Sequence, residues 1–485
     1  GDFSSSQSAI VVPKPDDTNI YYIFTVGSNQ SLTGLKYSVV DMTLDSGLGA
    51  ITRKNTNLLS QSAEKIAAVL KDCETGSIWV IGYSNFNGAF SNPNTVNLDT
   101  FHAFEITNTG VNATAIKSSF NSLNVNDLRG YLKLSPDGTK VACANMSDGL
   151  HLFDFDVATG MLSNRQSLSI SGPNNSPYGA EFSPNSEILY VTASNDNFGP
   201  TSGNPSAHQS VLVQFDLNAA NISNSAIVID SRNLYRSALQ LGPNGKIYRS
   251  MSETYDRGLP FLSVINNPNQ IGPTCDYEHN AVSLGQNNST QGLPPFIASF
   301  FTEKIDIIGN NSETTFLPLC DGDTFTLIAD DIPGATYEWT KDRLILPETD
   351  FDLVISESGL YNLVIDLNNG DCNRLEGEAL VEYFDIPIAN PASKLNLCNA
   401  DLAANIDLTV RDAEILGMQD TIIYEVHYFE SQLDADNNEN EITGLFTNTI
   451  NPTPIFARIE NKNNPNCYDT TTFDVEIFIT PVANP

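Results

Sequence analysis

Five histidines stand at His102, His151, His208, His279 and His427, and no two of them have HExxH or His-x-His spacing. Zinc hydrolysis from a helix face needs two imidazoles four residues apart, so that chemistry has no ligand set here. GxSxG, P-loop and GxGxxG patterns are absent as well. Seven cysteines occur without a CxxC pair, which argues against zinc ribbons and thioredoxin-like exchange. One of them, Cys143, sits in the strand-like run KVACANM and reads as a buried thiol. Asp154, Asp156 and Asp216 follow aromatic residues at the ends of strand-like runs, the place of a turn acceptor. The scarce arginines Arg129, Arg236 and Arg249 could converge with such carboxylates at the axis of a ring fold. Asp434, Asp436 and Glu439 alternate with flexible residues in SQLDADNNENEITG (431–444), as in a Ca²⁺ loop, but without the Gly and Glu that an EF-hand requires. No catalytic residue follows from these patterns, and Ca²⁺ at that loop is the one cofactor they suggest.

The charge balance narrows the partners. Against 24 Lys and Arg stand 58 Asp and Glu, a net charge of −34. Such a surface repels nucleic acid phosphates and anionic membranes. No apolar run is long enough to span a bilayer. The charge is also uneven, with 16 basic and 24 acidic residues in 1–302 against 8 and 34 in 303–485. That shift predicts a domain boundary near residue 303.

The first part repeats. YLKLSPDGTKVACAN (131–145), GAEFSPNSEILYVTA (179–193) and ALQLGPNGKIYRSMS (238–252) each join two alternating strands by a Pro-Asn/Asp turn. A third strand follows each of them: HLFDFDVATG, VLVQFDLNAA and FLSVINNPNQ. Two earlier stretches, 20–47 and 76–110, keep the rhythm. Four short strands per period of about 50 residues predict a β-propeller. Five repeats can be counted, with FIASFF (296–301) as a closing strand. The fold class expected is all-β: a seven-bladed, YVTN/WD40-like propeller followed by two immunoglobulin-like β-sandwiches.

In the acidic part, strands recur at sandwich spacing. Trp339 is placed like the core Trp of an immunoglobulin sheet, and Tyr361 like a tyrosine corner. Leu363 stands where an antibody domain has its cysteine. The expected pairings are therefore Cys320–Cys372 and Cys398–Cys467, one in each module, in an oxidising compartment. IPIANP at 386 returns as TPVANP at 480, with Pro387 and Pro481 94 positions apart. Domains are expected at 1–302 (a propeller whose N-terminal blade is incomplete), 303–385 and 386–480, with 481–485 opening a further repeat.

The phrases QSAIVVPKP, GLKYSVVDMTLDSGLGAI, YLKLSPDGTKVA, LFDFDVATG, YGAEFSPNSEILYVT, ALQLGPNGKIY and GLPPFIASFF, in that order, resemble the N-terminal propeller of large Bacteroidetes surface proteins. Those proteins are type 9 secretion substrates that carry a type B, gliding-motility-associated sorting domain. The acidic modules resemble that family's immunoglobulin-like repeats. The resemblance implies export through the type 9 translocon with its shuttle protein, an extracellular or outer-membrane-surface location, and a role in adhesion or gliding. It also implies a longer protein, since neither the opening strand pair nor the sorting domain is in this sequence. Asp-Thr-apolar triplets of the kind glycosylated in flavobacteria place candidate O-glycans on Thr421 and Thr470.

The resulting expectation is an adhesin that binds a surface glycan or protein through propeller loops. The insertions 84–100 and 194–210, with Tyr83 just before the first, supply the candidates Tyr83, Phe86, Phe90, Phe198 and His208. Rival readings are a lactonase- or glycan-active propeller and a passive spacer.

Overall fold

The computed structural model describes residues 5–28, 33–90, 96–301, 303–309, 315–368, 374–402 and 404–481. The chain divides into two compact units, 1–304 with 366–375, and 305–365 with 376–485.

The first unit is a β-propeller. Five antiparallel meanders of four or five strands span 9–57, 66–119, 132–168, 176–232 and 239–283. They are blades 1 to 5, and the seven-blade expectation gives way to five among the described residues. FIASFF is not a strand either. It forms a single 3₁₀ turn, Ala298–Phe300. Ile297 packs into the core between blades 1 and 2, Ala298 into the core between blades 4 and 5. Ser299 Oγ accepts the Leu70 N–H at 2.8 Å.

The predicted Pro-Asn/Asp turns join the strands Leu132–Leu134 and Lys140–Asn145, Ser176–Phe182 and Ile188–Ser194, and Leu239–Leu241 and Ile247–Arg249. Alternation then sends successive side chains to opposite faces. In Ile78–Ser84 every residue is buried. Ile78 and Val80 enter the core shared with blade 1, while Trp79, Ile81 and Tyr83 enter the one shared with blade 3. Blade 4 does the same: Leu189 and Val191 face blade 3, Ile188 and Tyr190 face blade 5.

Charge buried in this packing is met by internal partners. Lys133 Nζ donates to Glu181 Oε2 and Gln240 Oε1, each at 2.7 Å, and the same carboxylate oxygen accepts the Leu241 N–H at 2.9 Å. One ion pair thus ties the innermost strands of blades 3, 4 and 5. Arg249 is sealed similarly, on Asp230, Ser210, Ser237 and Tyr277.

The second unit holds two β-sandwiches. In the first, Trp339 is fully buried, and its Nε1 donates to the Asp350 carbonyl at 2.8 Å. Tyr361 forms the tyrosine corner, its hydroxyl donating to the Glu357 carbonyl at 3.0 Å. Both modules lay their first strand parallel to their last, Phe316–Cys320 along 380–384 and Leu395–Asn399 along 475–479.

The cysteines depart from expectation. The bond is Cys320–Cys467, with Cα atoms 5.4 Å apart, and Cys398 is free and exposed. Register explains why Cys398 and Cys467 do not meet. Cys398 lies beside Phe478, eleven residues along the strand from Cys467, a distance of about 35 Å at strand rise. Cys320 ends its strand opposite Phe384, at the junction of the modules. Cys467 follows a hairpin that turns back to the same junction, where Asn461 Nδ2 donates to the Asp385 carbonyl at 3.2 Å. The staple therefore joins two modules instead of closing each one. Cys73 is disulfide-bonded too, and Cys372 lies outside the described residues.

Two outcomes are expected. Glu181→Ala leaves Lys133 unpaired and the Leu241 N–H without its acceptor, and should cost about 3–5 kcal/mol in urea denaturation. Non-reducing peptide mapping should return a Cys320–Cys467 linked peptide, while alkylation of the native protein labels Cys398.

Candidate functional site

In a meander, the segment entering the innermost strand and the loop between the second and third strands lie at the same end. Across the blades this end gathers Ser6, Glu64, Asp127, Arg129, Tyr235 and Arg236 from entering segments, and Tyr178 from near the start of the innermost strand of blade 4. The long loop 195–209 of blade 4 adds Asp196, Phe198 and His208, and the corresponding loop of blade 5 adds Tyr255. Hydrogen bonds confirm the convergence. Ser6 donates its N–H to Glu64 Oε2 at 3.2 Å, and Ser6 Oγ accepts the Gly130 N–H at 3.0 Å.

Arg129 and Asp127 form a two-pronged pair, Nε to Oδ1 at 2.9 Å and Nη2 to Oδ2 at 2.6 Å. Burial pushes the Asp127 carboxyl up, but the Arg129 fork, with Ser147 and the Arg129 N–H, outweighs it and holds it at about 2. Asp196 lies between two guanidinium groups, Arg236 Nη2 at 2.5 Å and Arg129 Nη2 at 3.5 Å. Its φ of 40° lies in the left-handed region that Asp tolerates. The Arg236 guanidinium faces the rings of Tyr235, Phe198 and Tyr178 at 4.7, 5.5 and 5.7 Å. His208 meets Tyr235 edge-on at 4.9 Å, and Phe198 meets Tyr255 at 5.5 Å. Burial raises the Tyr235 and Tyr178 hydroxyls, so both stay protonated.

Three polar atoms here are buried and have no hydrogen-bond partner: the Tyr235 hydroxyl, Arg236 Nε and His208 Nδ1. Their side chains are almost fully covered, whereas Phe198 and Tyr255 are 60% and 43% exposed. Buried polar groups are nearly always satisfied, so three unsatisfied ones in one cluster set this rim apart as a candidate site. The rim thus offers donors, an acceptor and two apolar faces.

The sequence candidates divide. Phe198 and His208 belong to this rim. Tyr83 is core, stacked on Phe101 at 4.4 Å with its hydroxyl on the Leu98 carbonyl. Phe90 is buried too. Phe86 is exposed apart from them, under Lys117 Nζ at 4.4 Å. Part of that insertion, 91–95, lies outside the described residues. Asp156 and Asp216 are turn acceptors for the N–H groups of Ala158 and Asn218, and Asp154 pairs with Lys140. Asp434 and Asp436 stand in a short helix, with Glu439 just after it, where an open loop was expected. The short helix Gln432–Asn437 takes Asp434 as a partner of Ser431 and Asn440, and Asp436 as an acceptor for Gln432. Thr421 is exposed in a turn, while Thr470 is half-buried in Asn464–Ile479 and accepts from Gln432. The rim residues Tyr178, Asp196, Tyr235 and Tyr255 were missed. A signal existed for the arginines: Arg129 and Arg236 both stand three residues before an innermost strand.

Fold and site define a five-sheet propeller with a polar, aromatic rim, carried in one chain with two disulfide-linked sandwiches. Comparison with known proteins adds that residues 394–482 match the model of the Flavobacterium inter-domain disulphide bond domain. Cys467 lies inside that match and Cys320 outside it, so the observed bond runs between domains. No curated protein matches the chain. Among solved structures, a protein of unknown function from Dyadobacter fermentans is 9% identical, with 77% of this chain and 93% of that one covered and a TM-score of 0.36. A GH43 protein from Bacillus licheniformis is also 9% identical, over 74% and 84%, at 0.34. A candidate 6-phosphogluconolactonase from Bacteroides uniformis is 16% identical, over 53% and 66%, at 0.33. No helix among the described residues is long and apolar enough to cross a membrane.

The depressed Asp127 carboxyl has a measurable consequence. Its stabilisation is complete above its ordinary value of 3.8 and is lost as pH falls toward about 2. Asp127→Asn should therefore cost on the order of 2 kcal/mol at pH 6, a gap that narrows below pH 3 in denaturation curves.

Proposed function

We propose that this chain is the ligand-presenting part of a secreted, surface-displayed Bacteroidetes protein. In this reading the propeller rim binds a surface saccharide, and the sandwiches belong to the stalk. The observation that carries it is the trio Tyr235, Arg236 and His208, whose buried polar atoms lack internal partners beside the exposed rings of Phe198 and Tyr255. A sugar presents hydroxyls to the first group and an apolar ring face to the second. Export through the type 9 translocon with its shuttle protein, adhesion and a link to gliding rest on the resemblance of the propeller phrases. The matched Flavobacterium domain and a disulfide suited to an oxidising compartment support the extracellular location. O-glycosylation fits Thr421, in its exposed turn, better than half-buried Thr470.

A glycan array probed with the intact chain should give a defined set of saccharides. Arg236→Ala and Phe198→Ala should each weaken binding at least tenfold without lowering Tm by more than a few degrees. Unchanged binding in both variants, or lactone or glycoside turnover that collapses on changing Asp127 or Asp196, would reject the binding reading.

A further inference from the structure

The second sandwich carries a cluster of ligating side chains far in sequence from the propeller rim. The strand Tyr424–Phe429 runs antiparallel to Thr453–Asn461, with Glu425 opposite Glu460 and His427 opposite Arg458. Residues two apart share a strand face, so His427 projects on the same side as the two glutamates. Like charges directly across a ladder oppose each other unless a cation lies between them.

The neighbouring cations occupy one oxygen of each carboxylate. Glu460 Oε2 accepts from Arg458 Nε at 2.6 Å and from Asn438 Nδ2 at 3.2 Å. Glu425 Oε2 lies 4.0 Å from Lys462 Nζ. The other oxygens, Glu460 Oε1 and Glu425 Oε1, lie 3.5 and 3.7 Å from His427 Nε2. On the far side of the imidazole, Nδ1 is 2.7 Å from Glu441 Oε1. A carboxylate on Nδ1 fixes the tautomer that leaves Nε2 as a lone pair, the arrangement found behind metal-bound histidines. His427 Nε2 is buried and makes no hydrogen bond. One ligand atom from each of Glu425, His427 and Glu460 lies within 4.8 Å of the others. Atoms held 2.0–2.1 Å from a tetrahedral zinc ion lie about 3.4 Å apart, close to the two separations observed.

We infer that Glu425, His427 and Glu460 bind a divalent transition metal of the zinc class through His427 Nε2 and the two Oε1 atoms, with Glu441 orienting the imidazole. One imidazole nitrogen and two carboxylate oxygens suit zinc better than Ca²⁺ or Mg²⁺, which take oxygen alone. Three protein ligands leave a further position for water. Glu425 is 44% exposed, which gives the ion a path in, while Glu460 is 4% exposed. Bound there, the ion would bridge the two strands and relieve the opposed carboxylates.

The test uses the full chain stripped with EDTA, titrated with Zn²⁺ by calorimetry and with Co²⁺ by visible absorption. One equivalent of each should bind, with the Co²⁺ spectrum of a four-coordinate site, and Zn²⁺ should raise Tm by several degrees. His427→Gln should weaken binding at least 100-fold and abolish the Tm shift. Glu441→Gln should weaken it 10- to 100-fold with the stoichiometry unchanged. Since Glu460→Gln disturbs buried Arg458, Glu425→Gln, at an exposed side chain, is the second ligand variant and should lose at least tenfold with native circular dichroism. Absence of a zinc equivalent tighter than about 100 µM in the wild-type chain would overturn the assignment. Equal binding by wild type, His427→Gln and Glu425→Gln would do the same, placing the ion elsewhere, for example on exposed Cys398.

Discussion

A blade with two apolar faces cannot stand in water, and most of the first unit follows from that. Ile78–Ser84 is buried at all seven positions because its odd and even residues serve different cores. A strand of this kind demands a neighbour on each side, so the sheets stack in succession. Buried polar side chains are then met from inside, as Lys133 is by Glu181 and Gln214 by the Tyr190 hydroxyl and the Gly272 N–H. The rim is where entering segments, freed from alternation, bring Arg129 and Arg236 around one carboxylate, Asp196.

The strand pairs were legible because their turns are chemically explicit: Pro presets one backbone angle and Asn or Gly accepts the next. Tyr361 and Trp339 were legible for a similar reason, each having one structural place in a sandwich. The number of blades was not. Counting repeats gave five, while the propeller type suggested seven, and FIASFF reads as a strand by composition although its Ile297 and Ala298 serve two different cores.

Aromatic residues in a loop do not announce whether they face the solvent or the core. Tyr83 and Phe198 both stand near long insertions, yet Tyr83 continues the alternation of its strand into the interior, and Phe198 lies beyond the last ladder pair of its own. The disulfide pairing was hidden for a different reason. Two cysteines per module suggest closure within each module, but the parallel pairing of first and last strands is a non-local fact. It sends Cys320 to the junction and Cys398 to the far end of the second sandwich.

The staple also changes how the chain responds to being pulled. Cys320 and Cys467 are 147 positions apart in sequence but joined through two sulfur atoms. Tension applied from outside this loop crosses the bond and bypasses the strands from Phe325 to Asn461. About 500 Å of potential chain length is thereby withheld from extension. Both sandwiches then transmit force as a short, nearly inextensible link, a property set by one covalent bond at their junction.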